Sequence, residues 1–261
     1  KLLATLKPNI LFIGYGHLAK SLLSNSLRKN YNINYINSKN KVLSINSKKK
    51  NNLKNIFYKY IFLLVKPDVF LKKGHFFKDF ISPQSKIISC MAGIKLLTIS
   101  NNLNNRNVIR IMPNVMAKQK ISQTFVFAKN KKILDNDFKK LIRSFGTVYF
   151  ASNEDQINIA TSIFGSGPAF IAYLIKSYLD AAKNLSKKNK IKDIDLMRLF
   201  QNVLLTNKNS KDLELFLNSI ASKKGTTQAG VNFLKSQNIK KAIYTTFDRA
   251  YKRAREIDVE K

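Results

Sequence analysis

A buried strand that runs directly into a glycine-containing turn is the feature that most constrains the fold of this chain. Residues 10–13 are apolar and lie between Pro8 and Gly14, as is typical of a strand covered on both faces. The turn reads Gly14-Tyr15-Gly16-His17-Leu18-Ala19, and leucines then recur at helical spacing. Gly14 permits a tight turn, and Gly16 lets a pyrophosphate approach the backbone. This context favours a dinucleotide-binding βα unit over an ordinary structural turn.

Further apolar runs predict the rest of an α/β domain. They cover residues 33–37, 61–65, 87–91, 108–112, 124–128 and 147–151. The connections between them are long enough for crossovers, which indicates a Rossmann-like domain with a mostly parallel sheet over residues 1–151. Apolar residues then recur with a helical period, so residues 152–261 are predicted to form an all-α domain. Such a domain would leave some apolar stripes exposed, which predicts a homodimer or larger homo-oligomer formed through it.

Basic residues dominate the charge of the chain. There are 47 Lys and Arg against 15 Asp and Glu, a formal net charge of +32. Lysines occur along nearly the whole chain and are mixed with asparagines, so a compositional bias is favoured over a dedicated nucleic-acid surface. We therefore expect nucleic-acid binding to be nonspecific at most.

Cysteine, histidine and hydropathy exclude several other classes of protein. Cys90 is the only cysteine, so no intrachain disulfide can form. His17 and His75 have no second ligand at metal-binding spacing, which predicts no metal site. We find no run of about 18 uncharged apolar residues and no secretory signal. We expect a cytoplasmic protein with no membrane span.

The residues after the second predicted strand bear on the choice of cofactor. Ser38, Lys39 and Asn40 stand where an acidic residue would bind the ribose 2′-hydroxyl of NAD, and basic or small polar residues would accept a 2′-phosphate. They favour NADPH, with NADH as the alternative cofactor. Lys39 adds little weight by itself because lysine is so frequent in this chain.

Four further segments together resemble the pyrroline-5-carboxylate reductase family of proline biosynthesis. They occur in order, with the family's spacing, within residues 10–257. The segments are Val65-Lys66-Pro67, Met91-Ala92-Gly93-Ile94, Arg110-Ile111-Met112-Pro113-Asn114 and Gly165-Ser166-Gly167-Pro168-Ala169.

Each segment also has a physical interpretation with an alternative. Lys66 can reach a phosphate or ribose, or is one more solvated lysine. Gly93 permits close approach of a nicotinamide, or is an ordinary turn glycine. Pro113 and Asn114 shape a loop at the cofactor, or simply end a strand. Together with the first turn, the predicted cofactor-binding residues are Gly14, Tyr15, Gly16, His17, Leu18, Ser38, Lys39, Asn40, Val65, Lys66, Pro67, Ala92, Gly93, Pro113 and Asn114.

The resemblance also implies a substrate site. Gly225-Thr226-Thr227 precedes a helix and is suited to hold a carboxylate, although a plain helix cap is the alternative. Glu154 matches a family position near the substrate; alone it is a first-turn acid that favours the helix dipole. Small residues at Ser166 and Gly167 let a ligand or another helix come near. The predicted substrate-binding residues are Glu154, Ser166, Gly167, Gly225, Thr226 and Thr227, with Thr227 and Glu154 as catalytic candidates.

The substrate loop departs from the family pattern. Where the family has Ser-Pro-Gly-Gly-Thr-Thr, this chain has Ser222-Lys223-Lys224-Gly225-Thr226-Thr227. If the position of the lost glycine needs positive φ, Lys224 is strained there by about 1 kcal/mol or more.

The resemblance implies NADPH-dependent reduction of 1-pyrroline-5-carboxylate to L-proline by hydride transfer to the C=N carbon. One alternative is a related two-domain NADP-dependent hydroxyacid dehydrogenase, which needs a lysine such as Lys176 or Lys183 at the substrate hydroxyl. The other is a noncatalytic basic protein that binds polyanions on the same fold, which would explain the net charge and the altered loop.

Overall fold

Eight strands form one sheet in the computed structural model, which describes residues 7–45, 56–186 and 191–257. The central strands are short apolar segments with every residue buried or nearly so, as the sequence pattern predicts. The strands are β1 (Asn9–Ile13), β2 (Asn32–Ile36), β3 (Val42–Ser44), β4 (Tyr60–Leu63), β5 (Lys86–Ser89), β6 (Val108–Met112), β7 (Ser122–Phe127) and β8 (Gly146–Phe150).

The sheet has the order β3-β2-β1-β4-β5-β6-β7-β8. Strands β2 and β3 pair antiparallel, as do β6 and β7, and the other neighbours are parallel. The order reverses at β1, because the chain crosses from β2 and β3 on one side of it to β4 on the other. In an open α/β sheet, ligands bind at the carboxyl ends of the strands beside such a reversal. The predicted α/β fold with a mostly parallel sheet is confirmed.

Helices connect the strands and make up the C-terminal part of the described chain. They are α1 (His17–Leu22), α2 (Asn25–Asn30), α3 (Pro67–Lys73), α4 (Leu96–Leu103), α5 (Asn136–Arg143), α6 (Asp155–Ala160), α7 (Gly167–Leu185), α8 (Asp193–Thr206), α9 (Ser210–Ile220), α10 (Thr226–Ser236) and α11 (Ile239–Glu256). Short 3₁₀ helices cover Gly74–Phe80, Val115–Gln119 and Lys131–Ile133, and a π-helical turn covers Thr161–Gly165.

Two features of the first half differ from the sequence expectation. Strand β3 lies in a Lys- and Asn-rich stretch where we predict no strand. The leucine stripe after Gly16, which predicts one helix, is divided between α1 and α2. Ser24 starts the second helix, because its hydroxyl accepts a hydrogen bond from the Leu27 N–H at 3.1 Å.

Two apolar layers cover the faces of the sheet. On one face, Phe12 and Phe62 pack with Phe138 and Phe145 of the α5 region. On the other face, the buried side chains of β1, β4 and β5 pack against α3 and α4, including Phe70. Burial on both faces explains the continuous apolar character of the central strands.

The chain divides into two compact units by its internal contacts. The first comprises Lys1–Gly167 together with Arg249–Lys261, and the second is Pro168–Asp248. Within the described residues from 152 onward the secondary structure is helical. The domain boundary at residues 151 and 152 stays a prediction.

One helical segment qualifies the expectation about membranes. Asp155–Leu185 is long and apolar enough to cross a bilayer by length and composition, and 28% of its most apolar window is buried. A core helix of a soluble protein meets the same criteria, so the predicted absence of a membrane span stays a prediction.

Candidate cofactor and substrate site

Gly14 occupies a position that only glycine tolerates. Its φ is +99°, and a Cβ there would lie 2.9 Å from the carbonyl carbon of Leu64 and from the nitrogen of Val65. The turn after β1 therefore passes directly against the backbone that follows β4. This close approach brings the two strand exits together.

Gly16 has open space above it. It is the N-cap of α1, and a Cβ built there would have no neighbour within 4 Å. The first amides of a helix have no acceptor within the helix and favour a phosphate. The backbone at Gly16, His17 and Leu18 therefore fits the pyrophosphate of a dinucleotide.

A cavity of about 620 Å³ opens beside this turn. It brings together six of the predicted cofactor residues: Gly14, Tyr15, Ser38, Asn40, Val65 and Lys66. Its wall also contains residues that the sequence did not single out, including Tyr35, Asn37, Lys73 and Phe77. The others among the fifteen predicted positions do not line this cavity.

Two stacked tyrosines form part of the wall. The rings of Tyr15 and Tyr35 lie 4.1 Å apart between centroids and 22° from parallel. The ammonium group of Lys20 lies 5.8 Å from the centroid of the Tyr15 ring, within range of a cation–π contact. These contacts fix Tyr15 at the cavity edge.

Asn37 organises the loop between β2 and β3. Its Oδ1 accepts hydrogen bonds from the backbone N–H groups of Lys39 at 2.9 Å and Lys41 at 3.0 Å. Asn40 takes a left-handed conformation with φ of 55°, which asparagine tolerates better than most residues. The loop that presents Ser38, Lys39 and Asn40 is therefore held in one conformation. The turn preference of asparagine was the signal available for Asn37.

Lysines line the cavity from α3. Lys66 is the N-cap of this helix and Pro67 is its first residue, where the fixed φ of proline suits a helix start. Lys73 lines the same cavity from the last turn of α3. The sequence did not single it out, because lysine is so frequent in this chain. Pro67 itself faces a different cavity, with Leu97 and Ile257.

Gly93 is covered by the last helix. Its φ is +77°, and a Cβ there would lie 2.5 Å from the carbonyl oxygen of Ala254 and 2.6 Å from the Cβ of Ile257. The close approach of the chain end is therefore enough to require glycine here. A contact of Ala92 or Gly93 with the cofactor stays a prediction.

Glu154 lies in a network of polar side chains rather than alone. Its Oε1 accepts hydrogen bonds from the Leu96 N–H at 2.7 Å and from the Arg110 guanidinium at 2.9 Å. Arg110 also donates to Asn158 Oδ1 at 3.1 Å. These side chains line a second cavity of about 600 Å³, together with Gly93. Contact between Glu154 and substrate stays a prediction.

Asn114 is buried, and its polar atoms are used within the protein. Its Oδ1 accepts from the Met116 N–H at 3.0 Å, its Nδ2 donates to Gln123, and its own N–H donates to Ser122 Oγ at 3.0 Å. It thereby shapes the 3₁₀ helix Val115–Gln119, which packs against α1. A cofactor contact of Pro113 or Asn114 stays a prediction.

A π-helical turn precedes the Gly-Ser-Gly segment. The Ser166 N–H donates to the Thr161 carbonyl at 2.9 Å, five residues back, which widens the helix between α6 and α7. Gly165 packs close to Met112, and Gly167 is buried. At this segment the π-helical turn gives way to the α-helical geometry of α7.

The predicted substrate loop lies in the second unit, at the start of α10. Gly225 is the N-cap, and Thr226 and Thr227 open the helix. Lys224 has φ of 61°, so the positive φ considered for the lost glycine is present. The Lys224 N–H donates to Gln228 Oε1 at 2.8 Å, which ties the loop to the first turn of α10.

Metal-binding clusters and reactive thiols are the other chemical groups considered in the described part of the chain. No three His, Cys, Asp or Glu side chains there are grouped to hold a metal ion. Cys90 is buried, and burial raises the pKa of its thiol, so it does not provide a ready thiolate nucleophile.

A doubly wound sheet with a glycine turn after β1, a cavity at the strand exits and helical C-terminal segments defines a dinucleotide-binding protein of the Rossmann type. Comparison with known proteins narrows this class. Residues 154–257 match the family model described as pyrroline-5-carboxylate reductase dimerisation.

Relatives extend the match beyond the helical region. A pyrroline-5-carboxylate reductase of Staphylococcus haemolyticus is 31% identical over 205 residues, which cover 76% of this chain and 74% of that protein. The corresponding reductase of Staphylococcus epidermidis is 27% identical over 264 residues, which cover 95% of this chain and 97% of that protein. The NADP-bound pyrroline carboxylate reductase of Plasmodium falciparum shares the fold, with a TM-score of 0.78, 20% identity and coverage of 96% and 98%. The chain belongs to the pyrroline-5-carboxylate reductase family, and the resemblance noted in the sequence is confirmed.

Proposed function

We propose that this protein is a reductase that converts 1-pyrroline-5-carboxylate to L-proline with NADPH. The observation that supports this most strongly is the cavity at the exits of β1, β2 and β4, where six predicted cofactor residues meet. When bound, NADPH would supply hydride to the C=N carbon of the substrate in its iminium form, whose ring nitrogen already carries the proton of the product amine. Cofactor chemistry of this kind needs positioning more than a protein nucleophile.

The residues of the chain divide this task between binding and orientation. The open backbone at Gly16 and the amides of His17 and Leu18 hold the pyrophosphate, and Lys66 offers a charge to phosphate or ribose. Ser38, Lys39 and Asn40 receive the 2′-phosphate, on a hairpin with no acidic residue from Asn37 to Lys41. NADH is the alternative cofactor.

The substrate carboxylate binds at the start of α10, at the N–H groups and hydroxyl of the Gly225-Thr226 turn. The hydroxyl of Thr227 forms a hydrogen bond with the ring nitrogen. Ser166 and Gly167 provide a small surface near the substrate. In this assignment residues 1–151 form the cofactor domain, and residues 152–261 form the substrate and dimerisation domain.

A second copy of this chain covers the apolar surface of the helical region. Tyr173 and Leu205 are each 73% exposed, and Leu204 is 66% exposed. Large exposed apolar surfaces are typical of interaction sites. The match to a dimerisation family supports a homo-oligomer rather than a membrane span for Asp155–Leu185. We place the protein in the cytoplasm, where the reducing conditions keep a single thiol such as Cys90 reduced.

The activity is tested with the purified full chain by following NADPH absorbance in the presence of 1-pyrroline-5-carboxylate. We expect turnover with the imine and none with hydroxyacids and NADP. Turnover only with hydroxyacids would favour the dehydrogenase alternative. No turnover, together with DNA binding that is tighter than that of a charge-matched basic protein, would favour the polyanion-binding alternative. Light scattering without detergent tests the oligomer, and a monomer at assay concentration would contradict it.

A further inference from the structure

Arg110 is a charged side chain inside the protein. It lies on β6, in the interior of the sheet, and the residue is 0% exposed. A buried charge is strongly unfavourable unless it is paired and hydrogen-bonded. Arg110 meets this need with Glu154, the N-cap of α6, and with Asn158 in the middle of that helix. The cation therefore ties α6 to the sheet.

The same carboxylate oxygen also reaches a third element. Leu96 is the first residue of α4, and its N–H donates to Glu154 Oε1 at 2.7 Å. The first amides of a helix have no acceptor within the helix. Glu154 therefore supplies, from another element, the acceptor for the first amide of α4.

The connection from β5 to α4 is short and closely constrained. It consists of residues 90–95 and contains Gly93 at φ of +77°, with Ala254 and Ile257 against it. Its last residue is followed directly by the Leu96 amide that Glu154 binds. A change in the Arg110–Glu154 pair therefore acts on the conformation of this turn, which emerges at the carboxyl end of β5.

We propose that Arg110 and Glu154 form a positioning pair that holds the turn at residues 90–95 where it meets the bound cofactor. This rests on the proposed function and changes the role of Glu154. Its Oε1 accepts from two protein donors, the Leu96 N–H and Arg110, and this gives Glu154 the role of orienting the turn. Arg110 aligns Glu154 through its guanidinium and holds Asn158 with a second nitrogen.

The experiment compares Glu154→Gln, Glu154→Ala, Arg110→Lys and the double variant Arg110→Lys/Glu154→Ala. Arg106→Lys, on the exposed chain just before β6, is the matched control. Hydrogen exchange at the Leu96 amide of the protein without cofactor is measured first. We expect exchange to be at least tenfold faster in Glu154→Ala, and close to the original in Glu154→Gln, whose amide oxygen still accepts.

Kinetics then separate positioning from stability. We expect kcat with 1-pyrroline-5-carboxylate to fall tenfold to a hundredfold in Arg110→Lys and Glu154→Ala, roughly the effect of a small misplacement. The KM for NADPH should stay within about threefold, and the deuterium isotope effect on kcat should rise as hydride transfer becomes slower. The double variant should lose no more than about the larger single loss, since both changes break one unit.

Unchanged Leu96 exchange in Glu154→Ala would overturn the proposal, as would a folded Arg110→Lys enzyme with the original kcat and isotope effect. A merely structural role would lower the melting temperature and leave the isotope effect unchanged, which would also overturn it. A wild-type protein without turnover would contradict the proposed reductase activity instead, and the exchange measurement would still decide whether Glu154 holds the turn.

Discussion

The hydroxyl of Tyr251 donates a hydrogen bond to Asp155 Oδ2 at 2.6 Å, although the two residues are 96 positions apart. The contact joins the last turns of α11 to the first residue of α6. Hydrogen bonding from Tyr251 is the main reason that the pKa of the Asp155 carboxyl lies below its usual range, with Arg255 and Arg110 adding to it. The last turns of α11 are thereby attached to the α/β unit.

Tyr251→Phe removes this donor and should lower the urea midpoint of unfolding at neutral pH. A carboxyl with a lowered pKa stabilises the fold above its unfolded pKa of about 3.9, and this contribution is lost as pH falls through the folded pKa. The difference between wild type and variant should therefore shrink in acid. Tyr244→Phe, on the exposed face of α11, is the control. A difference that grew toward low pH would contradict the assigned role.

Gly14 and Gly16 should respond differently to alanine. Gly14→Ala should lower the free energy of unfolding by about 1–3 kcal/mol, because its φ is +99° and its Cβ position is occupied by backbone. Gly16→Ala should leave stability nearly unchanged, since the space there is open, and weaken NADPH binding at least tenfold. Denaturant unfolding and fluorescence titration measure the two effects. Unchanged NADPH affinity in Gly16→Ala would contradict the pyrophosphate site.

Ser38→Asp should shift the cofactor preference toward NADH. Ser38 lines the cavity, and a carboxylate there would repel a 2′-phosphate and accept a hydrogen bond from a 2′-hydroxyl. We expect kcat/KM to fall at least tenfold for NADPH and to rise for NADH. Ser210→Asp, which adds the same charge at the exposed start of α9, is the control. Equal losses for both cofactors would argue against this placement of the phosphate.

Lys224→Gly should stabilise the protein. Lys224 has φ of 61°, and glycine would relieve about 1 kcal/mol of backbone strain. Lys223→Gly is the matched control in the same loop, because Lys223 has no positive φ and should gain nothing. Chemical unfolding measures both variants. Equal effects of the two changes would show that strain at position 224 is not the cause.

Thr227→Ala should raise the KM for 1-pyrroline-5-carboxylate about tenfold, roughly the loss of one hydrogen bond. The Kd for NADPH should stay within about twofold, because the change removes a substrate contact only. Steady-state kinetics and a cofactor titration test the two parts, with Thr246→Ala on α11 as the control. Parallel losses of cofactor and substrate binding would contradict the assigned role of Thr227.

The local sequence predicted an element correctly where burial restricts the choice of residue type. The apolar runs predict β1, β4, β5 and β6, because strands buried on both faces need apolar residues throughout. Strand β3 was not predicted, because it is an edge strand of only three residues in a polar stretch. Three residues are too few to show the apolar and polar alternation of a strand. The second helix start at Ser24 was hidden because the leucine stripe continues across it.

Long-range partners explain what the sequence left open at the site. Glu154 is read as a substrate residue or a first-turn acid, since nothing nearby indicates that Arg110, 44 positions away, is its partner. Likewise Gly93 has the same local pattern whether a cofactor or the end of α11 lies against it. Lysine frequency masked Lys73 in the cavity wall, because one more lysine carries no information in so basic a chain.

The sequence by itself determined the central buried strands, the glycine turn after β1 and the resemblance to the family. The strands and the turn depend on backbone propensities and burial, which act over a few residues. Only the tertiary structure decided which side chains share the carboxyl edge of the sheet, that Glu154 pairs with Arg110 and that the chain end covers Gly93. Such contacts join residues distant along the chain, and their energies depend on burial and geometry that exist only once the sheet has formed.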